Sequence, residues 1–193
     1  KNAIVGSEVS KGAYDHYMLK EIHEAPFVIR QILKEPDTSY KKLASAIKRA
    51  KTVYTIGSGT AGAAAAQIAF YLRVYGKIKA VSLIGAEASD YYALIGKGDL
   101  LISPSQSGET ADVLEVLELA AKRGAKIASH VNMPGSMMTR MSDFKFMAQA
   151  GPEICVMSTK IFDSQIAWGY LVAKAVGGKL GEAGAARWSA ANQ

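Results

Sequence analysis

From Lys51 onward the chain is a succession of short apolar runs, each closed by Gly, Ser or Pro and each followed by a longer stretch with helical spacing. That alternation constrains the fold more than any other feature, because strands separated by helices are joined by crossovers rather than tight hairpins and so run parallel. The runs 52–56 (TVYTI), 79–84 (KAVSLI), 99–103 (DLLIS), 126–131 (KIASHV) and 143–148 (DFKFMA) read as strands, and 60–75, 110–123, 136–142 and 158–177 as helices. Apolar content unbroken by alternation indicates strands covered on both faces. The expected class is therefore α/β: a doubly wound, three-layer αβα domain on a five-stranded parallel sheet.

Upstream, residues 14–35 space Tyr14, Met18, Ile22, Val28, Ile29, Ile32 and Leu33 at helical intervals, and Pro26 predicts a break into two short helices. Residues 39–50 predict another helix, apolar at Leu43, Ala44 and Ile47 and basic at Lys41, Lys42, Lys48 and Arg49. The expected organisation is a helical lead-in over 1–50 packed on the domain, the domain proper over 51–178, and a tail or linker over 179–193. Helix 158–177 is rich in Ile161, Phe162, Ile166, Trp168, Leu171 and Val172. Such a helix either packs on the sheet or exposes enough apolar surface to demand a second copy or a partner domain.

With 193 residues, 49% hydrophobic and 21% charged, the chain suits one packed domain. The net charge is +6, and ten basic residues against six acidic ones fall within 1–51. That excess attracts anions, but it does not choose between phosphorylated metabolites and nucleic acid. The basic helix lacks interleaved aromatics, which disfavours nucleic acid. A single cysteine, Cys155, and no Cys/His cluster with zinc-site spacing point to a reducing compartment, the cytoplasm, and to no metal. No segment is suited to a signal peptide or to crossing a membrane. A start at Lys1 rather than Met fits a piece of a longer protein.

Two strand-to-helix junctions carry chemistry, since helix N-termini present free N–H groups and a positive dipole end. Gly57-Ser58-Gly59-Thr60-Ala61-Gly62 matches a G-x-G-x-x-G dinucleotide fingerprint, yet Glu87 and Asp90 lie too late for the ribose-holding acid. The glycines equally suit close strand-helix packing. Ser105-Gln106-Ser107-Gly108-Glu109-Thr110 sets three hydroxyls and a glycine into one turn. Ser105, Ser107 and Thr110 can each donate to a phosphate oxygen while Gly108 permits the tight backbone; the alternative is that Ser107 or Thr110 caps the helix. No lysine completes a triphosphate loop, so a single phosphate on a small molecule, without cofactor or metal, fits better. At 156–160 (VMSTK), Ser158 is either a helix cap or a ligand contact. Glu87, Glu109, Glu153 and His130 fall near strand ends, but nothing pairs them, and no catalytic base is assigned.

The SQSGET loop, the Gly-Ser-Gly-Thr loop, NMPGS at 132–136, AGPEICVMSTKIF at 150–162 and KGAYDHYMLKEIHEAP at 11–26 together resemble the sugar isomerase (SIS) domain family. Within it they are most similar to the first of the two such domains in glutamine–fructose-6-phosphate aminotransferases (isomerizing). The resemblance covers about residues 11–178 and implies a metal-free pocket for a hexose 6-phosphate. By position, Ser105, Gln106, Ser107, Gly108, Thr110 and Thr60 would hold the phosphate, and Gly59, Val156 and Ser158 would line the sugar. Ala61 replaces the serine that usually follows the Gly-Thr pair. The resemblance also implies pairing as a homodimer or with a second SIS domain, and an isomerase acid and base supplied from outside these residues. A non-catalytic SIS module that senses a phosphosugar is the alternative.

Overall fold

The computed structural model describes residues 10–181, so the parts of the lead-in and tail at 1–9 and 182–193 lie outside the described residues. Two helices, α1 (Tyr17–Ile32) and α2 (Asp37–Arg49), precede an alternating series: β1 (Val53–Gly57), α3 (Gly59–Val74), β2 (Ala80–Ile84), a 3-10 helix (Gly85–Tyr91), β3 (Leu100–Ser105), α4 (Ala111–Lys122), β4 (Lys126–Val131), α5 (Met137–Met141), β5 (Phe144–Met147) and α6 (Lys160–Val176). The five strands form one sheet in the order β2-β1-β3-β4-β5, and every pairing is parallel. The αβα class expected from the apolar runs is the observed one.

Each face of the sheet carries its own core, because side chains alternate along a strand. On one face Val53, Leu100, Ile102, Ala128 and Phe146 meet Leu43 and Ile47 of α2, Ile68 and Leu72 of α3, and Trp168 and Val172 of α6. On the other, Tyr54, Ile56, Leu101 and Ile127 meet Val113, Val116 and Leu117 of α4 and Met138 of α5. Alanines Ala64, Ala65 and Ala69 let α3 lie close to its neighbours, and a side chain at Gly169 of α6 would collide with Ile68.

One expectation changes, and one open alternative is decided. Residues 17–32 form a single helix with Pro26 inside it, not two short ones. Proline removes one backbone hydrogen bond and crowds the carbonyl of Ile22; Pro26 and Ile22 are both on the exposed side, so water can serve that carbonyl, while Ala25, Val28 and Ile32 stay buried. Nor does α6 offer an apolar face to a partner: Ile161, Trp168, Leu171, Val172 and Val176 are buried under α1, α2 and α3. The exposed large apolar side chains include Met18, Leu19, Ile22 and Phe27 on α1, Phe70 and Val74 on α3, Leu94, and Ile154, Val156 and Met157 on the loop before α6. Among the described residues no helix is long and apolar enough to cross a membrane.

Candidate functional site

Strands β1 and β3 lie side by side, yet their outgoing helices go to opposite faces: α3 packs in one core and α4 in the other. The chain therefore parts at the carboxyl ends of β1 and β3 and leaves a crevice there, the position where open parallel sheets bind ligands. The two loops singled out by residue type, 57–62 and 105–110, are the two that flank this crevice.

The 105–110 loop is folded by its own hydroxyls. Gly108 N–H donates to Ser105 Oγ (2.9 Å) and Glu109 N–H to Ser107 Oγ (3.2 Å). Both hydroxyls act as acceptors in these bonds, so each still has a proton to give. Gly108 has φ +68°, a left-handed conformation suited to glycine. Thr110 is the N-cap residue of α4 but makes no side-chain capping bond, which removes the capping alternative for it. The bond of Ser107 closes the turn before the helix rather than capping α4. Ser105 is buried, while Gln106, Ser107 and Thr110 are half-buried. As first-turn amides of α4, those of Ala111, Asp112 and Val113 have no acceptor within the helix and can face an anion.

This loop is locked to the segment after β4. Asn132 N–H donates to the Gln106 carbonyl (3.2 Å), Met138 N–H to the Gly108 carbonyl (3.1 Å), and Met137 N–H to Glu109 Oε1 (2.8 Å). Ser136 caps α5 by accepting from Thr139 N–H. A hollow of about 230 Å³ opens between the two segments, lined by Ser107, Glu109, Met133, Pro134, Gly135 and Ser136. A larger hollow of about 290 Å³, lined by Arg49, Lys97, Asp99, Leu100 and Lys126, lies at the opposite, amino ends of the strands and away from the hydroxyl-rich turn.

In the first loop the close-packing reading of the glycines holds at Gly57, where a Cβ would stand 2.5 Å from the Ala61 carbonyl oxygen and 2.8 Å from Gly62 N. Gly59 supplies φ +57° at the helix entry, and Gly59 and Thr60 are exposed at its tip. Ser58, which the motifs did not mark, has a buried Oγ without a partner among the described residues. At the end of β2 stands Ile84, and Glu87 and Asp90 belong to the following 3-10 helix, so the acidic strand end of a dinucleotide site has no counterpart.

The loop after β5 is organised by two carboxylates. Glu153 accepts from Thr159 N–H (2.9 Å) and Ile161 N–H (3.3 Å), and from the Ser158 hydroxyl (3.3 Å). It therefore caps α6, which begins at Lys160, and Ser158 is not the cap. The second carboxylate, Glu21, reaches the loop from α1 and accepts from Ile154 N–H (2.6 Å) and Cys155 N–H (3.2 Å). Val156 is fully exposed at the tip, and Ser158 is half-buried at the base. Glu21 had no signal in the sequence beyond being an acidic residue on the apolar side of an amphipathic helix.

His130 is removed from this chemistry. It is fully buried, stacks on Trp168 (ring centroids 5.1 Å apart) and lies 3.4 Å through Nε2 from Ser164 Oγ. Burial pushes its pKa down from 6.5 to about 3. The folded state thus holds it neutral where the unfolded chain takes a proton. Its contribution is complete above pH 6.5 and is lost as pH falls toward 3, by about 1.4 kcal/mol per pH unit. Urea unfolding at pH 7 and pH 5 should differ by about 2 kcal/mol from this group, and His130→Gln should lose that difference. An equal slope in the variant would refute the assignment.

Residues 46–175 match the family described as SIS domain. The chain is 38% identical over 167 residues to a glutamine–fructose-6-phosphate aminotransferase (isomerizing) of Bacillus licheniformis, covering 83% of this chain and 28% of that protein. It thus spans little more than a quarter of the length of such relatives. Among solved structures, the C-terminal domain of glucosamine-fructose-6-phosphate aminotransferase from Francisella tularensis superposes with a TM-score of 0.77 at 30% identity, covering 95% of this chain and 53% of that one. The sugar isomerase domain of an RpiR transcription factor from Sphaerobacter thermophilus shares the fold, with a TM-score of 0.72 at 20% identity over 90% of this chain and 97% of that one.

Proposed function

The chain belongs to the SIS domain family, and from that premise we propose that it binds a hexose 6-phosphate at the crevice between β1 and β3, as one half of the isomerase module of an aminotransferase that makes glucosamine 6-phosphate in the cytoplasm. The observation that carries the reading is the 105–110 turn at that switch point, where two hydroxyls accept loop amides and keep their protons for a ligand. In this reading Ser105, Gln106, Ser107, Gly108 and Thr110, with Thr60 across the crevice, take the phosphate. Gly59, Val156 and Ser158 take the sugar. Similarity of 38% to aminotransferases favours an enzyme module over a sensor.

Interconverting ketose and aldose phosphates requires a group that moves a proton between neighbouring carbons and another that assists ring opening, each within hydrogen-bond reach of the sugar. Buried His130 is not such a group, and Glu21 and Glu153 are engaged with backbone amides. In our reading this chain therefore binds and orients, and the acid and base come from residues outside it. The apolar residues exposed on α1 and on the 153–157 loop support pairing with a second SIS domain or a second copy on the side of the crevice that faces the sugar.

Calorimetric titration with fructose 6-phosphate tests the reading. Binding at millimolar concentration or tighter is expected, and Ser107→Ala should weaken it roughly tenfold, the value of one hydrogen bond to a charged group. No heat of binding, or a Ser107→Ala titration superimposable on the parent, would reject it.

A further inference from the structure

We propose that α1 sets the ligand affinity of the crevice, with Glu21 as a positioning residue that holds the 153–159 loop, and so Val156 and Ser158, in line with the phosphate cradle; this rests on the sugar-phosphate reading above. Glu21 is 2% exposed. A carboxylate at such a place is costly unless its oxygens are hydrogen-bonded, and the partners it has are all on one distant loop: Ile154 N–H, Cys155 N–H and the Thr159 hydroxyl (3.3 Å). That hydroxyl, with one proton to share, lies equally close to Glu153 Oε1, so the two carboxylates converge on the loop base. Glu24, three residues further along the same face of α1, fixes the register by pairing with Lys160 at the start of α6 (2.7 Å).

Around the loop tip, Glu153 holds the Ser158 hydroxyl on one flank and Glu21 holds the amides of Ile154 and Cys155 on the other. Val156 and Met157 are exposed, so apolar packing does not decide where the tip points. Hydrogen bonds to the two carboxylates do, and those on the side of Ile154 and Cys155 are made by Glu21. Helix α1 itself is seated by Ala25, Val28 and Ile32, which do not depend on Glu21. Removing the carboxylate therefore frees the amides of Ile154 and Cys155 while α1 stays docked, and the sugar end of the site loosens while the phosphate end is untouched.

The full chain carries its own reporter, since Cys155 is its single cysteine and sits in the braced loop. In Glu21→Ala, hydrogen exchange over 152–160 and alkylation of Cys155 by iodoacetamide should both rise roughly tenfold, fructose 6-phosphate should bind roughly tenfold more weakly, and inorganic phosphate should bind as in the parent. Glu21→Gln keeps one acceptor oxygen and should fall between, and it decides the matter if the alanine variant does not fold. Unchanged exchange and alkylation would overturn the brace. A loosened loop with unchanged fructose 6-phosphate affinity would overturn its link to binding, as would an equal loss for inorganic phosphate. A parent that binds phosphate but not fructose 6-phosphate would instead sink the sugar reading and the affinity claim with it, leaving exchange and alkylation to judge the brace.

Discussion

Gly108→Ala is expected to destabilise the protein by about 3 kcal/mol and to abolish binding at the 105–110 turn. Two independent costs combine. The left-handed backbone at φ +68° costs a residue with a Cβ about 1–2 kcal/mol. That Cβ would also collide with Ser136 Oγ and stand 2.8 Å from Ser136 Cβ and 2.9 Å from Val131 Cγ1. Overpacking of this kind costs about 1–3 kcal/mol, and here it falls on the residue that caps α5. Relief requires the loops after β3 and β4 to move apart, which takes the hydroxyls of Ser105 and Ser107 out of register with the amides at the start of α4. Gly59→Ala is the matched control. It has φ +57° but nothing within 4 Å of an added Cβ, so only the backbone cost of about 1–2 kcal/mol remains. Thermal unfolding of both variants and a fructose 6-phosphate titration of Gly108→Ala decide. Equal effects of the two substitutions would show that contact with Ser136 does not matter.

The second large effect is expected at the ion pair between α1 and α6. Lys160 is 3% exposed and its Nζ lies 2.7 Å from Glu24 Oε2, whereas the Glu24 side chain is 34% exposed. The two ends of the pair should therefore respond differently. Glu24→Ala strands an ammonium in the interior, for which losses of about 3–5 kcal/mol are typical; access of water to the Glu24 side places the expectation at about 3. Lys160→Met keeps most of the volume and removes the charge. The carboxylate it leaves behind is partly hydrated and has Lys20 at 3.6 Å, so the loss should stay within about 1 kcal/mol. Urea midpoints of the two variants measure the asymmetry. A Lys160→Met loss as large as that of Glu24→Ala would mean the ammonium stabilises α6 by some other route.

Both tests fall on contacts between segments distant in sequence, and this is where reading along the chain stops. Strand runs such as Val53–Gly57 and Lys126–Val131 were legible within a residue or so, since a buried parallel strand must be apolar without alternation. The turns 57–62 and 105–110 were legible as well, because glycine and hydroxyl residues between an apolar run and a helical stretch mark a strand-to-helix turn. Pro26 misled because local propensity cannot register that Ile22 and Pro26 turn outward while Ala25, Val28 and Ile32 are held by α6. For helix 160–176 the pattern left packing and exposure both open, and its apolar residues are covered by α1, α2 and α3, elements whose position no periodicity reveals.

Interactions among neighbouring residues suffice for the strands and the two hydroxyl- and glycine-bearing turns, and the alternation of strands with helices suffices for the layered class. Packing between distant segments set the order β2-β1-β3-β4-β5, which brings those turns together at one crevice, and the pairing of Glu21 and Glu24 with residues more than 130 positions away. The physical reason is that a carboxylate has no local preference that discloses its partner. Its role follows from which buried N–H groups and cations lack a partner once the helices have packed.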